Sequence, residues 1–327
     1  MPLVAWLALH FAIGLLGTTL ARRYALRARL LDHPGERRSH LTATPRGGGV
    51  AIVIALLVAV CWLIVRDPQQ APAQQQAWLA SFAVGLMLVA AIGAIDDHRP
   101  LSPWLRLAVH ALASLVLAGG CLVAYGDPWL ALAAFVLSIG LTNVWNFMDG
   151  IDGLAASQAA LLAAGTALFL DGPMQWLALA LCAACCGFLP MNFPRARIFL
   201  GDVGSGALGF AVAALCIDIA AAGRPGWPLS LLPLSAFLVD AALTLGGRML
   251  RGERWWTPHV THAYQVWAKT LGRHLPVTLA YAAWTAISLV LWWWGHNRGA
   301  AFITILLFGW YTLSLLAWRG LRQRRIW

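Results

Sequence analysis

The chain has 327 residues, of which 60% are hydrophobic and only 11% charged, and its formal net charge is +10. A soluble domain usually carries about 25% charged residues, so the composition excludes an ordinary water-soluble enzyme and indicates a polytopic membrane protein. The positive excess requires no nucleic acid as partner, because in a membrane chain it sets topology and draws in anionic lipid or substrate phosphate.

Eleven apolar stretches are predicted, near 2–21, 47–65, 76–95, 104–124, 128–147, 153–170, 174–190, 205–222, 228–246, 276–294 and 299–318. Each is long enough to cross a ~30 Å hydrocarbon core as a helix. The expected fold is all-α, a single membrane domain over residues 1–327 with no internal repeat and no linker. The first run has no basic residues before it and a basic cluster after it, which reads as a retained span rather than a cleaved signal. Arginines fall almost entirely in alternate loops, including Arg22 to Arg46, Arg99, Arg106, Arg195, Arg197, Arg248 to Arg254, Arg273 and the 319–325 tail. Those loops are therefore expected on the cytoplasmic side, with the N-terminus outside and the C-terminus inside. Cys182 and Cys185 form a Cys-x-x-Cys inside an apolar run with no second pair beside it, and read as small-residue helix packing.

In chain order, the first candidate cluster is Arg37-Arg38-Ser39-His40 followed by Thr44-Pro45-Arg46-Gly47-Gly48-Gly49, cations before a glycine-rich helix start that suits an anion. Asp96 and Asp97 come next, at the end of the third span. Adjacent carboxylates raise each other's proton affinity, and such a pair holds a divalent cation or takes a proton from a phosphate acceptor. At the end of the fifth span, Asn143, Asn146, Asp149 and Asp152 recur every third residue, which stacks polar groups on one helix face. The structural alternative is that Asp149-Gly150 ends one helix and Asp152 caps the next.

Phe199-Leu-Gly-Asp202-Val-Gly204-Ser205 leads into the eighth span, a glycine-rich helix start that offers amides to a phosphate. An aspartate in the same place would repel that phosphate unless a metal stood between them, which predicts Mg²⁺, with Mn²⁺ as a substitute. His259-Val-Thr-His262 lies in the last long arginine-rich loop with Arg248, Arg251, Arg254, Trp255, Trp256, Tyr264 and Gln265, a set suited to a phosphate and a ring. Asp218 and Asp240 fall inside spans and must face protein or water.

Taken together these clusters resemble the polyprenyl-phosphate N-acetylhexosamine-1-phosphate transferases. The resemblance rests on Thr44-Pro-Arg-Gly-Gly, Asp96-Asp97, Asn143 through Gly153, Phe199 through Ser205 and the histidine loop, in one order over nearly the whole chain. It implies transfer of a sugar 1-phosphate from a UDP-sugar to undecaprenyl phosphate, with release of UMP and use of Mg²⁺, in a bacterial inner membrane. On that basis Asp96, Asp97, Asp202, His259 and His262 are the expected catalytic residues, with Asp97 preferred over Asp96 as the group that deprotonates or orients the lipid phosphate. Asn143, Asn146, Asp149, Asp152, Phe199, Gly204, Ser205, Arg46 and Arg254 are the expected substrate contacts, and Asp202, Asp149 and Asp152 the expected metal ligands. The loop His259-Val-Thr-His262-Ala-Tyr-Gln departs from the His-Ile-His-His form of the N-acetylglucosamine enzymes. It looks more like the branch that initiates O-antigen units with N-acetylfucosamine. An ion-coupled secondary transporter is the alternative reading, although its carboxylates should lie at the bilayer midplane.

Overall fold

The computed structural model describes residues 1–32, 43–66, 72–224, 226–254, 256–257 and 259–323. Arg37, Arg38, Ser39 and His40, together with Trp255 and Arg325, lie outside the described residues. The helices are α1 (Leu3–Arg27), α2 (Val50–Arg66), α3 (Ala73–His98), α4 (Pro103–Tyr125), α5 (Pro128–Phe147), α6 (Leu154–Thr166), α7 (Gly172–Asn192), α8 (Asp202–Ala221), α9 (Ser235–Leu250), α10 (Ala263–Leu271), α11 (Leu275–Gly295) and α12 (Ala300–Gln323). A 3₁₀ stretch, Trp227–Leu234, runs directly into α9, and a two-residue antiparallel pair joins Leu31–Asp32 (β1) to Thr44–Pro45 (β2). Helix starts follow local chemistry. Proline, which needs no amide partner, stands in the first turn of α4, α5, α7 and α11. Asp127 caps α5 by accepting from the amides of Trp129 and Leu130 at 2.8 and 3.2 Å.

Among the described residues, nine helical segments are long and apolar enough to cross a membrane. The other two of the eleven expected spans are shorter: α2 has 17 residues and α6 only 13. At 1.5 Å per residue α6 reaches only about 20 Å, short of the hydrocarbon thickness. The run nevertheless takes the chain from one end of the bundle to the other, and most of it is buried in protein. Gly153 at its start bonds Asn192 at the arginine-rich end, and the Phe169 carbonyl beyond it accepts Arg224 at the opposite end. The helix itself ends at Thr166, and residues 167–170 continue as a turn in which Phe169 stacks on Trp292 with centroids 4.1 Å apart while Leu168 stays exposed.

Helix α8 is the axis of the bundle, buried over nearly its whole length and packed by α3, α5, α6 and α2. Small residues make this possible. A side chain at Gly209 would strike the Leu141 carbonyl of α5, so the two backbones touch there. At the α8 N-terminus the two glycine-rich motifs meet each other: Gly48 and Gly49 donate their amides to the carbonyls of Phe199 and Leu200 at 2.9 and 2.8 Å, and Phe199 donates to Pro45 at 2.8 Å. Gly49 and Gly204 lie Cα against Cα, and a Cβ on either would collide with the other. Gly49→Ala should therefore cost about 1–3 kcal/mol, as overpacking does. Gly140→Ala in α5, where an added Cβ meets nothing within 4 Å, should cost nothing. Thermal melting of both variants in detergent checks the pair.

Candidate active site

The segments that hold the polar clusters all collect at the arginine-rich end of the bundle: the ends of α3, α5, α7 and α9, the starts of α2, α4, α6, α8 and α11, and α10. Bonds between them define the site. The Arg106 guanidinium, on the first turns of α4, lies 2.6 Å from Asp96 Oδ2 and 2.5 Å from Asp202 Oδ2. Asn146, on the last turn of α5, donates to the other Asp202 oxygen at 2.9 Å and to Ser205 Oγ at 3.0 Å. Asp96 also accepts the Leu101 amide at 2.6 Å, which fixes the turn between α3 and α4.

Asp97 has a different task. It is 3% exposed, and its two carboxylate oxygens accept the amides of Asp202 and Val203 at 3.1 and 3.2 Å. Arg46 supports it, with Nε 3.8 Å from Oδ1 and a guanidinium hydrogen bond to the Asp97 carbonyl. Asp97 thus caps α8 from a neighbouring helix, where a carboxylate is favoured by the unpaired amides and the helix dipole. Gly201, at φ +77°, lets the chain turn beneath that carboxylate, and a Cβ there would strike Asp97 Oδ2.

This geometry corrects the expectation that the glycine-rich start of α8 cradles a phosphate. The amides of Asp202 and Val203 are taken by Asp97, and those of Gly204 and Ser205 by the Gly201 carbonyl at 3.0 Å each. Gly204 is sealed against Gly49, Ser205 is 1% exposed and Phe199 is half-buried, with its amide engaged by the Pro45 carbonyl and its carbonyl by the Gly48 amide. The glycines serve backbone packing, and the exposed chemistry of this motif rests on Asp202.

The third group surrounds the α5–α6 turn. Asp149 is half-buried on this turn. Loss of hydration, then the charges of Asp202, Asp97 and Asp152, push its carboxyl well above the ordinary carboxylate range. Asp152 Oδ1 lies 3.3 Å from His274 Nδ1, and the Asp152 carbonyl accepts Thr278 Oγ1 at 2.8 Å, tying the turn to α11. Gly153 (φ +73°) donates its amide to Asn192 Oδ1 at 2.9 Å. Asn143 bonds one turn behind these groups: its amide donates to the Ile139 carbonyl at 2.7 Å and its side chain meets His110, which lies near Arg106.

The histidine loop closes over this turn. His259 and His262 stack with centroids 4.9 Å apart, and His262 lies 6.2 Å from Phe147. Tyr264 donates to the Phe147 carbonyl at 2.9 Å. On the other side Trp256 packs on Trp104 of α4, with centroids 5.8 Å apart. Arg254 is exposed, and its carbonyl is what holds the loop, accepting Arg248 Nη2 at 3.1 Å and Thr257 Oγ1 at 2.7 Å. Asp240 anchors the whole segment. It is 1% exposed and accepts the amides of Ala263 and Tyr264 at 2.9 and 3.2 Å, with His262 Nδ1 3.4 Å away. Asp218 lies at the opposite end of the bundle, hydrogen-bonded to Tyr125.

Burial, then the charges of His262 and Arg248, lower the His259 pKa from the ordinary 6.5 to about 4. A folded loop that refuses a proton its unfolded form accepts loses stability as pH falls through the window between those two values. Hydrogen-exchange protection factors at residues 259–265, which remove the intrinsic slowing of exchange in acid, should therefore fall below pH 6.5, and His259→Asn should flatten that dependence.

Two residues escaped the sequence reading. Arg106 looked like one more topogenic arginine, yet it bridges two of the acidic motifs; its place 10 residues after Asp96, beyond a proline-marked turn, was the available signal. His274, at the start of α11, carried no motif. For metal binding, no group of three His, Cys, Asp or Glu side chains stands ready as a ligand set among the described residues; Asp202 engages Arg106 and Asn146, and Asp152 faces His274. The excess of charge nevertheless fits a cation. Five carboxylates, Asp96, Asp97, Asp149, Asp152 and Asp202, crowd two guanidiniums, Arg46 and Arg106. Mg²⁺ needs only one or two of them, with water and substrate oxygens for the rest.

Residues 79–220 match the glycosyl transferase family 4 model. The chain is 32% identical over 248 residues to a decaprenyl-phosphate N-acetylglucosaminephosphotransferase of Mycobacterium leprae, covering 65% of this chain and 58% of that protein. It is 34% identical over 278 residues to a phospho-N-acetylmuramoyl-pentapeptide-transferase of a Synechococcus species, covering 73% of this chain and 75% of the relative. A Bacillus subtilis protein named "probable undecaprenyl-phosphate N-acetylglucosaminyl 1-phosphate transferase" is 28% identical over 61% of this chain and 58% of its own length. The matched region thus spans less than two thirds of the mycobacterial and Bacillus relatives.

Proposed function

The chain belongs to the polyprenyl-phosphate hexosamine-1-phosphate transferase family, and from that premise we propose that it transfers a sugar 1-phosphate from a UDP-N-acetylamino sugar to undecaprenyl phosphate. The observation that carries this reading is the joining of Asp96, Asp202, Arg106 and Asn146 at one end of the bundle, beside Asp149 and beneath the histidine loop.

An oxygen of the lipid phosphate attacks the sugar-bearing phosphorus of the donor. The bond from that phosphorus to the bridging oxygen breaks, and UMP leaves with the electron pair. One pyrophosphate is lost and one is made, so the reaction runs readily in both directions. Both reactants are anions and repel each other, which makes charge management the main task of the site. Mg²⁺, or Mn²⁺ in its place, held by Asp202 with Asp149 or Asp152, would supply the neutralisation that lets the two phosphates meet. Arg106 borders the same space and offers its guanidinium to a phosphate oxygen. Asp97, occupied by the α8 amides, positions Asp202, which leaves Asp96 as the member of the pair that orients or deprotonates the lipid phosphate. His259, neutral near pH 7, faces the departing nucleotide from the loop above, whereas His262, expected among the catalytic groups, is 3% exposed and supports His259 by stacking on it.

Binding of the cation should expel a proton, since the Asp149 carboxyl holds one more tightly than an ordinary carboxylate. Calorimetric titration of Mg²⁺ into the protein in two buffers of different ionisation enthalpy measures that release, and equal heats would refute it.

The donor is N-acetylfucosamine-like, as the histidine loop suggests, or N-acetylglucosamine, as the relatives' names suggest. The setting is the bacterial inner membrane, with the active site cytoplasmic and the N-terminus outside. The reaction begins an O-antigen, lipopolysaccharide or related surface glycan. Purified protein incubated with undecaprenyl phosphate, Mg²⁺ and a panel of UDP-N-acetylamino sugars should release UMP only when lipid and one preferred donor are both present. No UMP from any of them would sink the reading. Exchange of labelled UMP into the donor without lipid would instead indicate an aspartyl-phosphate intermediate.

A further inference from the structure

Helix α12 packs against α9 and α10, away from the carboxylate cluster, and leaves a groove between α9, α11 and α12. The groove has a volume of about 380 Å³ and is walled by Trp267, Tyr281, Trp284, Ala317 and Trp318, with the buried Asp240 also in its lining. It meets a second hollow at Trp318, where the lining changes to Arg251, Arg319, Arg322 and Gln323. One half is therefore hydrocarbon, set among helices of membrane-crossing length, and the other is cationic, at the arginine-rich end where headgroups lie. Arg251 is paired with Glu253 at 2.6 Å, and Arg322 stacks over the Trp318 ring at 5.2 Å. Arg319 is exposed on the last turns of α12.

We propose that this two-part groove binds an anionic membrane phospholipid, with an acyl chain laid between α9, α11 and α12 and the phosphate held by Arg319 and Arg322. Charge complementarity selects this occupant. A zwitterionic lipid gains less from the arginines, and a soluble protein does not reach a wall inside the membrane-crossing helices. The acceptor lipid has to bring its phosphate to Asp96 and Asp202, and neither lines the groove.

The site is also placed to influence the histidine loop. Trp318, shared by both halves, donates its indole N–H to Asp240 Oδ1 at 3.2 Å, the same oxygen that accepts the Ala263 amide. A lipid that fixes Trp318 therefore braces the carboxylate on which His262 and α10 hang.

The test is native mass spectrometry of the full chain in detergent, titrated with dioleoyl phosphatidylglycerol or dioleoyl phosphatidylcholine. Wild-type protein should retain phosphatidylglycerol preferentially and lose that preference in high salt, a readout that needs no variant. Arg319→Gln with Arg322→Gln should weaken phosphatidylglycerol binding about 30-fold, the worth of two arginines near an anionic headgroup, and leave phosphatidylcholine unchanged. Ala317→Trp, which fills the apolar half, should weaken both lipids. Equal retention of the two lipids by wild type overturns the proposal, as does unchanged phosphatidylglycerol binding in the double variant. Displacement by undecaprenyl phosphate at equal concentration would assign the groove to the acceptor, and displacement by millimolar inorganic phosphate would reduce it to a free anion site; either result also overturns it. None of these readouts depends on turnover.

Discussion

Asp202→Asn should cut turnover by at least ~100-fold while the protein still folds and inserts, as expected when a charge that acts on the reacting phosphates is removed. The substitution keeps the shape and one acceptor: Asn146 still finds an oxygen where Asp202 Oδ1 accepts it at 2.9 Å. Arg106 loses one carboxylate and retains Asp96 at 2.6 Å. The structural cost is then about 1 kcal/mol, that of one imperfect hydrogen bond. Turnover suffers more, because the only acidic group of the α8 motif has become neutral at the point where two phosphates must approach. Asp218→Asn makes the same chemical change at the other end of the bundle, where the carboxyl accepts Tyr125; distance predicts turnover within about twofold of wild type. UMP release from both purified variants, with melting temperatures alongside, decides the matter. Near-normal turnover of Asp202→Asn would remove Asp202 from the mechanism, and equal losses in both would mean that the assay reads membrane stability.

What the chain disclosed in advance follows from which forces are local. The arginine bias and the apolar runs depend on residues near each other, so the helices and the end at which the carboxylates gather could be read directly. The spacing of Asn146, Asp149 and Asp152 carried the α5–α6 turn in the same way. The division of labour within Asp96-Asp97 came out reversed, with Asp97 expected at the lipid phosphate but occupied as a cap, because the amides that it caps lie 105 and 106 positions away. The glycines were misjudged for the same reason. Gly49 and Gly204 looked like two anion cradles, when each is the space that the other occupies. Helix α6 shows that hydropathy marks an apolar run without marking where its helix stops, since the helix ends at Thr166 and residues 167–170 complete the run as a turn.

Asp240→Asn should strike stability and turnover together, and the pattern identifies a positioning group. The carboxylate is 1% exposed and accepts five hydrogen bonds, from the amides of Ala263 and Tyr264, Thr244 Oγ1, the Tyr281 hydroxyl and the Trp318 indole, with His262 Nδ1 at 3.4 Å. An asparagine turns one acceptor into an N–H₂ that faces donors, which leaves buried groups unpaired and should cost about 3 kcal/mol or more. The first turn of α10 loses its cap, and His259 and His262 lose the frame that holds them over Phe147. A displacement of about 1 Å there is worth up to ~100-fold in rate. Hydrogen exchange should rise at residues 259–271 and stay unchanged around Asp96 and Asp202, which Asp240 does not touch. If exchange rises throughout the bundle, Asp240 is only a core residue of the fold. If turnover falls without any loosening of the loop, Asp240 belongs among the groups that meet substrate.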